Sequence, residues 1–194
     1  MSNKRGDLIL PKLVNVMIRG LFIGRFQPPH WGHVWAVKDI LNEVNELIIV
    51  IGSAQFNYII KDPFTVGERI WMLREALREG GVDLSRIIIV PIPNIENNAA
   101  WFGYLRSYVP PFQVAYTGNP FVAMLLKEVG IEVRQQPLYD RQKYNSTRIR
   151  ELMLRDDPEW EKLVPKSVAE IIRKINGIER LKIIATGEAE PHRW

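Results

Sequence analysis

At 194 residues, 46% hydrophobic and 25% charged, the chain has the size and composition of one globular domain with a substantial core. It contains no cysteine, which excludes disulfides and thiolate metal sites and agrees with a reducing compartment. The net charge is +4 and the sequence pI is near 9.4, but the basic residues are spread out, without the dense block a nucleic-acid footprint usually has. Small anionic substrates account for that excess equally well, with an RNA-binding module as a rival resting on the pI alone. No apolar run has membrane-span length, and residues 1–7 have no long apolar segment behind them, so the expectation is a cytoplasmic protein with no membrane partner.

Residues 1–16 precede the first periodic segment and read as an N-terminal extension, with Met17 an alternative start. The domain proper is assigned to 17–182 and a tail without clear role to 183–194, with 189–194 expected to fray. Period-2 apolar runs predict strands at 17–24, 46–51, 86–91, 113–117 and 131–136. Helical periodicity predicts helices at 32–44, 66–79, 98–108, 121–129, 147–154 and 167–175. Thr65-Val66-Gly67-Glu68 is a capping box that opens the second helix, and Ser167-Val168-Ala169-Glu170 fits the same rule. Leu47-Ile48-Ile49-Val50-Ile51 and Ile87-Ile88-Ile89-Val90 are continuously apolar, as strands covered on both faces of a parallel sheet should be. Trp35 and Trp71, at helical spacing among apolar neighbours, are expected in the core. The alternation predicts an α/β fold, a single doubly wound Rossmann-like domain, whose ligands sit beyond the carboxyl ends of the strands. The candidate linings are then the turns at 24–29, 52–61, 91–98, 118–120 and 138–145.

The first of these turns carries the densest chemistry: Gly24-Arg25-Phe26-Gln27-Pro28-Pro29-His30-Trp31-Gly32-His33. A helix N-terminus has free N–H groups and a partial positive charge, and Arg25, His30 and His33 add donors beside it. Phosphate binding is the simplest use. Gly32 between the histidines would let a ligand come close to the backbone. With His192 the only other histidine, the pair is a poor metal site, and no serine stands nearby for it to activate. Downstream, Asn145 or Ser146 can cap a helix in which Arg150 lies one turn in, a second anion site with a guanidinium fork. Asp156-Asp157, between a helix and Pro158, reads as a solvated turn and not as a metal site.

The first motif resembles the H-x-G-H signature of the nucleotidyltransferase superfamily, in the form found in archaeal-type nicotinamide mononucleotide (NMN) adenylyltransferases. A second signature, I-S-S-T-x-x-R, is matched by Tyr144-Asn145-Ser146-Thr147-Arg148-Ile149-Arg150. Asn145 stands where the family usually has serine. Further similarity runs through Ile51-Gly52-Ser53-Ala54-Gln55, Asp62-Pro63-Phe64-Thr65-Val66-Gly67-Glu68-Arg69, Pro110-Pro111-Phe112, Tyr116-Thr117-Gly118-Asn119-Pro120 and Leu163-Val164-Pro165, and covers about 17–182.

The resemblance implies transfer of AMP from ATP to NMN, giving NAD and pyrophosphate. His30, His33 and Arg25 would be the catalytic groups. Gly24, Arg25, Phe26, Gln27, His30, Gly32, His33, Asn119, Ser146, Thr147, Ile149 and Arg150 would bind ATP. Ser53, Gln55, Lys61, Asn98 and Trp101 would bind NMN, the Trp stacking on the pyridine ring. Magnesium would arrive with the ATP phosphates, with no dedicated protein ligand, and the protein would be a homo-oligomer, hexameric by resemblance. Arg69 reads either as reaching the cleft or as pairing beside Glu68. A phosphate monoester is largely a dianion at neutral pH and needs no general base, which agrees with the lack of a base–nucleophile pair. Rival readings are transfer to another phosphorylated acceptor (phosphopantetheine or FMN) and a non-catalytic nucleotide sensor. Intact His30, His33 and Arg150 disfavour the sensor.

Overall fold

The apolar run at 21–23 becomes β1 (Arg19–Gly24), the middle strand of a five-stranded parallel sheet in a computed structural model that describes residues 17–187. The extension at 1–16, the frayed end expected at 189–194 and His192 lie outside the described residues. After β1 come α1 (Trp31–Glu43), β2 (Glu46–Ile51), α2 (Val66–Glu79), β3 (Ile87–Pro91), α3 (Trp101–Tyr108), β4 (Val114–Thr117), α4 (Pro120–Glu128) and β5 (Glu132–Gln135). Four helices close the chain: α5 (Ser146–Leu154), α6 (Glu159–Leu163), α7 (Lys166–Lys174) and α8 (Gly177–Ala185). The strand order is β3-β2-β1-β4-β5, the doubly wound Rossmann-like arrangement expected. β1 pairs with β2 from Arg19↔Glu46 to Gly24↔Ile51 and with β4 from Gly20↔Val114 to Phe22↔Tyr116. Winding reverses between β1 and β4, which opens a crevice beyond their carboxyl ends. None of the helices among the described residues is long and apolar enough to cross a membrane.

The alternation along β1 and β2 sends side chains to two cores. Phe22, Leu47, Ile49 and Ile51 pack with Val37, Ile40, Leu73 and Leu77 on the α1/α2 side. Leu21, Ile48 and Val50 pack with Leu105, Phe112 and Leu126 on the other. At about 1.5–3 kcal/mol per fully buried aliphatic or Phe side chain, these two layers fix where β1 ends, and so where the glycine turn begins. β3 departs from expectation. It is an edge strand and only half-buried, because a run of isoleucines looks the same whether one or two strands flank it. Trp71 is also not core: it is 38% exposed, with Lys174 Nζ 5.1 Å above its ring. Trp35 is half-buried, stacked with Trp31.

The third core belongs to the last four helices, where Ile149, Met153, Trp160, Leu163, Ile172 and Leu181 pack on Met72 and Ala76 of α2. Two of these helices are absent from the periodicity. α6 has five residues, too few to show a period. α8 follows Asn176 in a left-handed conformation (φ 53°) with no side-chain cap, so its start carries no signal. It runs through the 182/183 boundary, with Ile184 buried. Arg180 donates two bonds to the Glu68 carboxylate, at 2.7 and 2.8 Å, while Glu68 closes the Thr65 capping box at the start of α2. Ser167 does not cap α7. The Glu79 carboxylate, reaching over from α2, instead accepts the Lys166 and Ser167 N–H groups at 2.9 and 2.7 Å.

Arg69 neither enters the cleft nor pairs with an acid beside Glu68. It is completely buried, and its guanidinium donates to the carbonyls of Arg25, Gly52, Ser53 and Ala54 at 3.0–3.4 Å. One cation thus ties the turn after β1 to the turn after β2. The Ser53 carbonyl also accepts the Phe56 N–H at 3.1 Å, but Arg69 alone reaches all four, so Arg69→Met should destabilise the fold by roughly 3–5 kcal/mol, the cost of breaking a buried charged network. Urea unfolding of the purified variant measures this; a loss under ~1 kcal/mol would show the network to be dispensable.

Candidate active site

The turn after β1 is built around Phe26. This residue sits at φ 54°, a left-handed conformation costing a bulky side chain roughly 1–3 kcal/mol, and it is held there by burial. Its ring packs edge-on to Phe22 and 4.7 Å from the His33 ring. A Cβ at Gly24 would come within 2.8 Å of the same ring, so glycine is required for the turn to close. Gln27 is buried and pairs both ways with the Phe64 backbone, accepting at 3.0 Å and donating at 2.9 Å.

His30 is the N-cap of α1. Its backbone N–H donates to His33 Nδ1 at 3.2 Å, and the two rings stack at 3.7 Å. Because Nδ1 of His33 accepts, its proton resides on Nε2, which is left as a donor. Burial draws the His33 pKa from 6.5 down to about 3. Burial, with the adjacent His33, holds His30 well below 6.5. Both imidazoles are therefore neutral at physiological pH in the free protein. Gly32 lines the cleft and is also needed for packing: a Cβ there would sit 3.1 Å from the His30 ring and 3.1 Å from Tyr144 Cβ. Its smallness serves the packing of His30.

The second motif meets the first directly. Asn145 caps α5, its Oδ1 accepting the Arg148 N–H at 2.8 Å. Ser146 Oγ donates to the Pro28 carbonyl at 3.0 Å. Arg150 is buried, giving Nη1 to the Gln27 carbonyl at 2.7 Å and Nη2 to Thr147 Oγ1 at 3.3 Å. The N-termini of α1 and α5 thus open on one place, though Arg150 has spent much of the fork the sequence reading assigns to phosphate.

Three depressions meet at this edge of the sheet. One, of about 230 Å³, is lined by Arg25, Phe26, Gln27, His30, Gly32, His33, Ser146, Thr147 and Arg150 among others. A second, of about 300 Å³, holds Gly24, Ser53, Trp101, Leu105, Val122 and Asn119. A third, of about 360 Å³, joins them through His33, Gly24 and Asn119. Asn119 also caps α4, accepting the Phe121 N–H at 2.9 Å.

Four expected residues line none of these depressions. Ile149 is fully buried in the third core. Lys61 is exposed in a turn closed by the Ile59–Asp62 bridge. Asn98 is exposed in a short 3₁₀ turn capped by Asn97. Gln55 braces Asn94, accepting its N–H at 2.9 Å, and Asn94 lines the Trp101 pocket.

Sequence reasoning singles out none of Asp62, Gln136 and Arg141, although Arg141 lies in the 138–145 turn, a candidate lining. Asp62 is buried, its Oδ2 lies 3.6 Å from Arg25 Nη1, and its Oδ1 has no partner. Only the basic residues around it signal that a counter-ion is needed. Gln136 and Arg141 fall in or beside the turn after β5 and line two of the depressions. Asp156 and Asp157 do form a turn, but an engaged one: Asp156 accepts Lys182 Nζ at 2.7 Å and Asp157 accepts the Glu159 N–H at 3.0 Å.

Comparison with known proteins gives the following. A cytidylyltransferase-like family model matches residues 21–152. Nicotinamide-nucleotide adenylyltransferase of Caldivirga maquilingensis is 77% identical over 178 residues, 92% of this chain and 100% of the relative. That of Pyrobaculum arsenaticum is 71% identical over the same shares. A crystal structure of a bifunctional NMN adenylyltransferase/ADP-ribose pyrophosphatase from Francisella tularensis, complexed with AMP and a manganese ion, superposes with a TM-score of 0.65 at 19% identity. That match covers 89% of this chain and 53% of the other, so the chain spans about half the length of that protein.

The neutral histidines have a consequence for stability. Between pH 6.5 and about 3 the unfolded chain binds protons that folded His33 refuses, so stability must fall as pH drops through this window. At pH 5 the loss is up to about 2 kcal/mol for His33, and His30 acts in the same direction. Urea titrations at pH 7 and pH 5 should show a shallower decline for His33→Gln than for the wild type. Equal declines would mean that folded His33 titrates normally.

Proposed function

This chain belongs to the nicotinamide-nucleotide adenylyltransferases of the cytidylyltransferase-like family and transfers AMP from ATP to NMN, giving NAD and pyrophosphate; we propose that the three joined depressions carry out that reaction as follows. The depression between the two helix N-termini takes the triphosphate, where N–H groups, His30, His33, Arg25, Ser146, Thr147 and Arg150 supply donors. The one shared by His33, Gly118 and Asn119 takes the adenosine. The apolar one with Trp101, Leu105 and Val122 takes the nicotinamide nucleoside, with the pyridine ring on the Trp101 indole. The observation that carries this assignment is the convergence of the α1 and α5 N-termini on one cleft beside an aromatic pocket at the β1/β4 switch point.

The NMN phosphate is already a dianion near neutral pH. One of its oxygens attacks the α-phosphorus in line, and the bond from that phosphorus to the β-phosphate oxygen breaks. The electron pair leaves on pyrophosphate, and no proton has to move. The protein's work is then positioning and charge stabilisation. Neutral His33, with its proton on Nε2, is a preorganised donor for the transferring group. An anion beside it also favours the protonated ring, so it donates in either state. Arg25, 49% exposed in its side chain and loosely paired with Asp62, is free to turn to phosphate. Gln55 supports the pyridine side by bracing Asn94, whereas Lys61 and Asn98 stand outside the pocket and would have to move to take part.

Magnesium enters as part of the nucleotide substrate, held by phosphate oxygens and water. Among the described residues no three acidic, histidine or cysteine side chains are grouped to hold a metal. We place the protein in the cytoplasm as a homo-oligomer, hexameric as the resemblance implies, with no nucleic-acid or membrane partner. Exposed Phe121, Met124 and Val129 at α4 offer a face on which copies can meet.

Pyrophosphate release from ATP with NMN, phosphopantetheine and FMN as acceptors tests the reading. Release with NMN is expected, and release only with another acceptor would overturn it. His33→Ala should lower turnover about 10²–10³-fold, the usual cost of one preorganised donor, while the protein remains folded. Turnover near wild type would remove His33 from the chemistry. Trp101→Ala should weaken NMN binding by ~1–3 kcal/mol and leave ATP affinity alone. An unchanged NMN Kd in calorimetry would move the pyridine ring elsewhere.

A further inference from the structure

We propose that Arg141 is a further phosphate-binding residue of this cleft, presented to the nucleotide by Asn145. The inference rests on the adenylyltransferase reading and extends it to a residue outside both signature motifs. Among the described residues, Arg25, Arg141 and Arg150 are the arginines lining the triphosphate depression. Arg150 is buried, with Nη1 on the Gln27 carbonyl and Nη2 on Thr147. Arg25 faces Asp62 at 3.6 Å. Arg141 is exposed, and its guanidinium makes no hydrogen bond or ion pair within the described residues. It lines the adenosine depression too, together with His33, Phe22 and Gln136. A guanidinium at that junction flanks the place where the α-phosphate must lie if His33 is to reach it. Its planar fork matches two phosphate oxygens, and its charge is suited to the negative charge that grows on the leaving pyrophosphate.

The backbone that carries Arg141 is folded against the start of α5. Asp140, at φ 33°, accepts the Lys143 and Tyr144 N–H groups through its carbonyl at 2.9 and 2.8 Å. Asn145 then works in both directions. Its Oδ1 caps α5 through the Arg148 N–H, and its Nδ2 donates to the carbonyls of Arg141 at 3.0 Å and Gln142 at 3.2 Å. Serine, the usual residue of the second signature at this position, could accept the same N–H. With a single hydroxyl proton it could not hold both carbonyls. The asparagine therefore keeps the cap and adds a brace for the turn that bears Arg141.

The test is a double-mutant cycle on the full chain with Arg141→Gln and Asn145→Ser, reading ATP Kd by calorimetry without NMN, and kcat and KM with it. Arg141→Gln is expected to weaken ATP and to lower kcat on the order of 10²-fold, leaving the NMN KM unchanged; Arg141→Lys should recover part of the loss. Asn145→Ser should lower kcat about tenfold through misplacement of the cation, and should add nothing in the Arg141→Gln background. Wild-type ATP affinity and kcat in Arg141→Gln would overturn the proposal. So would an Asn145→Ser effect of equal size in both backgrounds, since that is what a plain helix cap would give. A wild-type chain that binds ATP but makes no NAD would instead contradict the functional reading, and the ATP Kd of Arg141→Gln would still decide the role of Arg141.

Discussion

The hydrogen bond from Arg150 to the Gln27 carbonyl, at 2.7 Å, with its companion from Ser146 to the Pro28 carbonyl at 3.0 Å, joins segments about 120 residues apart in the chain and makes one cleft of them. Each segment alone is a turn leading into a helix. Held together, they aim two helix N-termini at the same point. The latch depends on the sheet cores and the third core being in place. β1 must end at Gly24 for Gln27 and Pro28 to present their carbonyls, and the third core must seat α5 through Ile149 and Met153. A bond between a buried guanidinium and a backbone carbonyl contributes ~1.5–3 kcal/mol. It is strong because neither partner has water to turn to.

The same region shows how positive charge is concentrated without being cancelled. Arg69 donates to carbonyls, and Arg150 to one carbonyl and the Thr147 hydroxyl, neutral partners that satisfy hydrogen bonds but leave the charge in place. Asp62 is the buried acid among them, and burial lowers both arginine pKa values while Asp62 raises them. An excess of cation remains for an anionic ligand. The histidines follow a different logic: burial keeps them neutral, so the protein avoids two more buried charges and still presents N–H donors. A nucleophile that arrives as a dianion makes this sufficient, because the site has no proton to remove.

Most of the fold was legible in the sequence because the strands and long helices obey period-2 and period-3.6 rules, and a parallel sheet with helices on both faces admits few topologies. What escaped did so for identifiable reasons. β3 is as apolar as β2 yet lies at the edge, since apolarity reports burial and not position in the strand order. α8 lacks a capping residue, and its role appears only when Arg180 meets Glu68. Arg69 reads as a cleft residue or a partner beside Glu68 until the turns after β1 and β2 fold onto it. At the site, the motifs located His30, His33, Ser146 and Arg150 because their spacing is local. Ile149 belongs to the same stretch but faces the core, which a motif cannot distinguish. Asp62 and Gln136 carry no pattern of their own and are brought to the cleft by tertiary structure, while Arg141 is legible only as part of the 138–145 turn and not as a residue.

The central claim is that the NMN phosphate attacks the ATP α-phosphorus directly, with His30 and His33 as donors and never as carriers of the adenylyl group. The most direct measurement is the stereochemical course with ATP bearing a chiral thiophosphate at the α-position. A single in-line displacement predicts inversion at phosphorus in the product dinucleotide. Net retention would mean two displacements through an adenylylated side chain, and would contradict the account.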